Sequence, residues 1–363
     1  MAGPIGYLEL EAFRNIISAR LDFPAKTTFL CGANGAGKTT ILEAIYLLGH
    51  GRSFRSTRLD ALVRSGGEGF VVRAGCSRPT GEQERIGFEY RAGRVRVHAD
   101  GQQVRTRGDL ARRLPIRLLT PQALQLLEGG PEVRRRFLDW GLFHVKPAFH
   151  ECWQRYRRLL RQRNMALRQG GIEPRNLATW SEALAAAGES LDRFRRDYLA
   201  ALMPVYADIQ GRLAVTSDFV QIDYRSGWPA GRPLAEALER ALKRDQALGT
   251  TTAGPHRAEL RILAHGQPAR QVLSGGQRKM AVIALLLAQV QLLDQQTGRA
   301  SLFLVDELAD TLDAQHLARV LAELQGGSAQ LILTAIERTP FEAPLTAPAA
   351  WFHVKHGEIH EMV

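Results

Sequence analysis

Apolar and polar residues alternate with a period of two through the N-terminal third of the chain, the pattern of strands that bury one face. Tyr7–Phe13 and Ser18–Phe23 alternate in this way, and Thr27–Cys31 forms a short strand that stops at a glycine. Phe70–Cys76, Arg85–Tyr90 and Arg94–Val104 continue the pattern, the last broken at Asp100-Gly101, a pair suited to a hairpin turn. Within that segment Val95, Val97 and Ala99 share one face, while Arg94, Arg96 and His98 share the other.

From Pro131 the period lengthens to that of a helix. Trp153, Tyr156, Leu160 and Leu167 fall on one stripe; Trp180, Leu184, Ala187, Leu191, Phe194, Tyr198 and Leu202 repeat at spacings of three and four. The breaker-rich link RQGGIEPRN between them is short, so the two helices are expected to fold back as an antiparallel pair. After a second polar stretch, RSGWPAGRP, an apolar α/β pattern returns from Thr250 to the end. One α/β unit is thus expected to be split in sequence, with residues 1–125 and 246–363 as its two halves and a helical arm, 126–245, inserted between them.

Composition narrows the class. The 363 residues are 45% hydrophobic, enough for a globular core, and 48 Lys/Arg against 37 Asp/Glu leave a net charge of +11. That excess suits a polyanionic partner, nucleic acid or an anionic surface. Cys31, Cys76 and Cys152 lie far apart without CxxC spacing, so neither a disulfide frame nor a zinc site is expected. The first 25 residues carry Glu9, Glu11, Arg14, Arg20 and Asp22 and do not resemble a signal peptide; the apolar run Met280–Ala288 is too short to span a bilayer. The expected setting is soluble and cytoplasmic, with no membrane partner.

Chemistry enters with GANGAGKTT. It follows the Thr27–Cys31 strand, opens a helix over Thr39–Leu48, and fits G-x-x-x-x-G-K-S/T at Gly32, Gly37, Lys38 and Thr39. Such a loop, Gly32, Ala33, Asn34, Gly35, Ala36 and Gly37, turns backbone N–H groups onto phosphate oxygens, and the helix start at Thr39 and Thr40 adds its partial positive charge. Lys38 is expected at the β/γ-phosphates and the Thr39 hydroxyl on Mg²⁺. Near the other end, SLFLVDELAD carries a buried-type strand, Leu302–Val305, that ends in two carboxylates. Asp306 is expected at the metal, and Glu307 near the γ-phosphate, where it orients or deprotonates the attacking water. The cofactors implied are ATP and Mg²⁺.

A second glycine-rich helix start lies in LSGGQRKMAVIALLLAQV. Ser274, Gly275, Gly276 and Gln277 offer a hydroxyl, bare backbone N–H groups and a helix dipole. The chain's own loop already supplies these, so the second start makes most sense facing the nucleotide of another copy. The order P-loop, LSGGQ, Asp-Glu strand resembles the ABC-type ATPases. The stretches LELEAFRNI, GANGAGKTTILEAIYLL, GRSFR, LLEGGPEVRRRFLDWGLFHV, GTTTAGPHRAEL, LSGGQRK and VDELADTLD resemble the RecF family of bacterial recombination-repair ATPases along nearly the whole chain.

The resemblance implies an α/β fold: an ABC-type P-loop ATPase head assembled from N- and C-terminal segments, with an inserted arm of short antiparallel helices. It implies a weak ATPase whose ATP-driven homodimer clamps DNA at gaps, supports recombinase loading with RecO- and RecR-type partners, and reopens on hydrolysis. Asp313 would reach across the dimer, although Ala309-Asp310-Thr311 departs from the common wording. Gln122 would act as the Q-loop glutamine, where the family pattern has an acidic residue. Arg14 and Asn15 would sit by the nucleotide, and Arg55 would face phosphate or DNA; His256 and Arg257 match without an assigned role. The alternatives are the ATPase subunit of a membrane importer and an SMC-like chromosome protein. Thr334 stands near the place of an importer's switch histidine, and the short arm does not suit the long coils of SMC proteins.

The charge is concentrated. Pro131–Arg168 holds ten Lys/Arg against Glu132, Asp139 and Glu151, a net +7. Arg134, Arg135, Arg157, Arg158 and Arg161 are the candidate contacts to single- or double-stranded DNA, through phosphates and without sequence preference, since no base-reading motif is present.

Overall fold

The computed structural model describes residues 4–77, 81–169, 174–213, 220–308 and 312–362. Its strands are β1 (Ile5–Phe13), β2 (Ile16–Asp22), β3 (Thr27–Cys31), β4 (Gly69–Ser77), β5 (Gln83–Arg91), β6 (Arg94–Ala99), β7 (Gln102–Gln103) and β8 (Ile116–Leu119). There follow β9 (Gln221–Arg225), β10 (Glu259–Ala264), β11 (Gln267–Pro268), β12 (Leu302–Val305), β13 (Gln330–Ala335), β14 (Ala349–Lys355) and β15 (Glu358–Met362). The chain divides into two compact units, Met1–Ala123 with Gly211–Ala214 and Ile283–Val363, and Leu124–Gln210 with Val215–Val282.

The first unit holds two sheets. One is antiparallel, in the order β2-β1-β4-β5-β6-β7; in the other, β15-β14-β3-β13-β12-β8, all neighbours but β14 and β15 run parallel. β3, β12 and β13 are buried at every position, which is why none of them alternates: β12 is wholly apolar, and β3 and β13 add only the buried polar residues Thr27, Thr28, Gln330 and Thr334. The helix Lys38–His50 shares one core with both sheets: Ile41, Leu42, Ala44, Ile45, Leu47 and Leu48 cluster with Leu10, Phe13 and Phe70 of the first and Leu30, Leu304 and Ile332 of the second. Enclosed in this way, the helix is apolar over most of its length after the first turn, with Glu43 the exception. Because β3, β13 and β12 are parallel neighbours, the loops after all three open at one edge of the sheet, the usual place for a ligand.

The second unit carries the three-stranded antiparallel sheet β11-β10-β9, the helix Pro131–Val145, the arm helix Pro147–Gln169, and the arm helix Pro174–Leu213 as far as Gln210. The arm helices are antiparallel. The Phe149 and Phe194 rings meet edge-to-face at 6.1 Å, and Arg163 Nε donates to Ser181 Oγ at 3.1 Å. The second arm helix spans 40 residues, well beyond the Trp180–Leu202 stripe. Of the link between them, residues 170–173 lie outside the described residues. In this division the stretch Val215–Val282 belongs to the second unit, where β10 pairs with β9, and it includes Ser274–Gln277.

Candidate functional site

The P-loop leaves β3 under tight constraint. Gly32 has φ +151°, and a Cβ there would meet the Val354 carbonyl oxygen at 2.2 Å; at Gly37 (φ +121°) it would press on the Asn15 amide. Gly32 N–H donates to Ala335 O, and Gly357 N–H to Ala36 O, so β13 and the β14–β15 turn hold the loop from behind. Lys38 is buried and folds back over the loop, its Nζ donating to Gly32 O at 2.6 Å and Ala33 O at 3.0 Å. The Asn15 amide donates to Ala36 O and accepts from Thr40 Oγ1, which joins the β1–β2 turn to the helix start.

The two ends of the sequence converge here. Thr39 Oγ1 donates to Asp306 Oδ1 at 3.2 Å, across 267 residues. The same carboxylate oxygen accepts the Thr334 hydroxyl at 2.7 Å, and the Thr334 oxygen accepts the Glu307 N–H at 3.0 Å. Thr334 and Asp306 are buried, whereas Glu307 is exposed and held at φ +56°, a left-handed value costly for a residue other than glycine. A hydroxyl and a carboxylate oxygen this close at a helix start are the hard donors Mg²⁺ takes, so Thr39 and Asp306 fit the ion.

Above them lies a cavity of about 770 Å³. Asn34, Gly35, Gly37, Lys38, Thr39 and Thr40 form one side; Arg14, Asn15, Arg55 and Glu307 border it as well. Sequence reasoning gave Glu43 no role, yet its side chain is fully buried and accepts from Arg14 Nε at 3.0 Å, Arg14 Nη2 at 2.9 Å and Ser53 Oγ. Its signal was a lone charge in the apolar run ILEAIYLL.

Other expected residues are not among those that line the cavity. Gln122 is exposed on the turn after β8 and does not line it. Ser274, Gly275 and Gly276 are exposed; Ser274 N–H donates to Gln277 Oε1 at 2.8 Å and Gln277 N–H to Ser274 Oγ at 3.3 Å, a reciprocal capping box. Asp313 caps the helix Ala314–Gly326, and the His316 N–H and ring hold its carboxyl below the usual range. Residues 309–311 before it lie outside the described residues.

The cationic segment needs correction. Arg134 grips Glu259 with two prongs and donates to Gly129 O at 2.6 Å; Arg135 donates to Ala258 O at 2.7 Å, and burial lowers its pKa. Both face β10 and its approach, because Pro131–Val145 turns the side of Phe137, Leu138 and Leu142 inward. Arg163, one of the ten cations, is completely buried against Asp245 and Thr251. Arg157, Arg158 and Arg161 are exposed, with Arg157 lying 4.5 Å over the Trp153 ring.

The same unit gives His256 a structural part. Burial lowers its pKa to about 4, so it is neutral; Nε2–H donates to Thr251 O at 2.9 Å, which leaves Nδ1 to accept the Tyr156 hydroxyl at 2.6 Å. Arg195 donates to Pro255 O at 2.8 Å while paired with Asp139. The Gly254–Arg257 turn is thereby tied to both arm helices, and Arg257 is exposed beside it.

A P-loop and an acidic strand at one sheet edge, with a separate glycine-rich helix start, define the head of an ABC-type ATPase. Residues 4–359 match the model of the RecF/RecN/SMC N terminal domain. The DNA replication and repair protein RecF of Stutzerimonas stutzeri (strain A1501) is 38% identical over 98% of this chain and 96% of its own length; that of Pseudomonas putida (strain W619) is 40% identical over 96% of each. A solved structure of the recombination mediator protein RecF-ATPrS in the RecFOR pathway has the same fold, with a TM-score of 0.86, 24% identity and 99% coverage of both chains. The Smc head bound to the C-winged helix domain of ScpA is more distant, at TM-score 0.61, 18% identity and coverage of 99% and 97%. The chain belongs to the RecF family, and neither the importer nor the chromosome-structural alternative is favoured. Among the described residues no helix is long and apolar enough to cross a membrane.

Proposed function

We propose that this protein is an ATP-dependent DNA-binding protein of recombinational repair. ATP and Mg²⁺ close two copies into a dimer that holds DNA at gaps, and slow hydrolysis reopens it. The observation that carries this reading is the convergence of Thr39, Asp306, Thr334 and Glu307 beneath the P-loop. When bound, the ion would draw charge from the β- and γ-phosphates. Lys38, released from the loop carbonyls it now bonds, meets the phosphates, and Glu307 orients and deprotonates the attacking water from the cavity rim.

The exposure of Ser274, Gly275 and Gly276 at the helix start supports a role in trans, on the nucleotide of a second copy, with Asp313 beside the same interface. Arg157, Arg158 and Arg161 supply phosphate contacts to single- or double-stranded DNA without sequence choice. RecO- and RecR-type partners follow from the RecFOR context of the related structure, and recombinase loading is the step they would serve. The test is light scattering after size exclusion on Glu307→Gln, with and without ATP. A stable dimer only with ATP is expected; a monomer under both conditions would refute the clamp.

A further inference from the structure

The Glu43 carboxylate is enclosed in a helix packed between two sheets, where an apolar side chain would be the cheaper occupant. Its partners show what it organises. Arg14 grips it with Nε and Nη2, from a backbone at φ +56° whose N–H donates to Leu62 O at 2.8 Å. Ser53 donates to it, and the Ser53 oxygen in turn accepts the N–H groups of Arg55 and Ser56, both at 2.9 Å, which sets the turn that carries Arg55. Arg55 Nη1 stands 3.8 Å from the carboxylate, beyond hydrogen-bond reach.

Both arginines border the cavity. Side by side they repel one another, and a negative charge behind them removes that cost while fixing their direction. We propose that Glu43 is a positioning residue for the nucleotide: it locks Arg14 and tethers Arg55 at the cavity wall, so that both guanidiniums meet the phosphates of ATP. Arg14 is the rigid member of the pair, and Arg55 the one left free to adjust. This inference rests on the ATP site proposed above.

The test is the affinity of the full-length chain for N-methylanthraniloyl-ATP with Mg²⁺, measured by fluorescence anisotropy for wild type, Glu43→Gln, Arg14→Ala and the double variant. Glu43→Gln should weaken binding about tenfold or more, the scale of a lost charge-assisted hydrogen bond. Arg14→Ala on top of it should add less than about twofold, because the two changes remove one arrangement. A merely structural Glu43 would lower the melting temperature of the nucleotide-free protein and leave the affinity of the folded protein intact. Wild-type affinity in Glu43→Gln, or losses that multiply in the double variant, would overturn the assignment. Should Glu43→Gln fail to fold, Arg14→Lys decides: it keeps the charge but not the two-pronged grip, and should lose as much affinity as Arg14→Ala. Undiminished binding by Arg14→Lys would likewise count against the inference. A wild type that bound no ATP would instead refute the proposed function.

Discussion

The Thr334 hydroxyl donates to the Asp306 carboxylate at 2.7 Å, and its oxygen also receives the Glu307 N–H. One buried side chain therefore orients the carboxylate proposed to hold Mg²⁺ and anchors the strained backbone of the proposed base. Thr334→Val should lower kcat about tenfold or more while ATP affinity without Mg²⁺ stays within about twofold. Thr334→Ser, which keeps the hydroxyl, should remain near wild type. Steady-state turnover alongside metal-free nucleotide titration checks both, and equal loss in the Ser variant would show that the hydroxyl is not the cause.

Ser274→Arg should retain nucleotide binding by the monomer, since the cavity is built without it. It should not dimerise with ATP, because the bulky cation would occupy the helix start proposed to meet the second copy's nucleotide. Analytical ultracentrifugation with ATP, beside a binding titration at low protein concentration, measures both. Loss of monomer binding would mean that the signature acts on its own copy.

Reversing Arg157, Arg158 and Arg161 to Glu should weaken binding to every DNA sequence about equally and flatten its salt dependence. The log–log slope should fall by roughly 0.9 for each phosphate no longer neutralised. ATP binding should persist. Anisotropy at several salt concentrations is the measurement. An unaltered slope would move the DNA path elsewhere, with Arg105, Arg107, Arg112 and Arg113 the next surface to reverse.

His256 predicts an acid-side loss of stability. Its pKa falls from 6.5 in the unfolded chain to about 4 in the folded one, so the unfolded state binds the extra proton between those values. Stability is full above pH 6.5, declines as the pH drops toward 4, and levels off below; the maximum loss is about 3 kcal/mol. His256→Gln should be less stable at neutral pH, yet change less from pH 7 to 4.5. His50, also lowered by burial, titrates in both proteins and cancels in the comparison. Parallel urea curves for the two proteins at both pH values would remove His256 from this account.

The parts of the site most legible in sequence were those where geometry permits few residues. Gly32 and Gly37 occupy left-handed or crowded backbone, and β12 is apolar at every position, so motif spacing and one unbroken apolar run announced them. β8 and β9, at the margins of their sheets, are only four and five residues long, and β9 is mostly polar, so they gave no such signal. Glu43 was harder to read, because a glutamate in a helix ordinarily faces water, and its partners Arg14 and Ser53 come from loops before and after that helix. The inward arginines were readable in principle. Arg163 lies seven residues beyond Tyr156, as Tyr156 does beyond Phe149, and Arg134 precedes Leu138 by four, so each sits on the buried stripe of its helix.

The sheet order β14-β3-β13-β12 has a consequence for biosynthesis. Both neighbours of β3 come from the last tenth of the chain, and the buried Gln330 amide, which exchanges two hydrogen bonds of 2.9 Å with the Ile5 backbone, arrives equally late. The antiparallel sheet, by contrast, is complete by Gln103. At ordinary ribosomal speeds the apolar strand bearing the P-loop therefore waits roughly 15–60 s for its partners. Throughout that interval the nascent chain carries an apolar strand with both hydrogen-bonding edges unpaired, and a chain cut short before β13 keeps the residues that line the cavity but lacks the Ala335 carbonyl and the Thr334 hydroxyl that brace them.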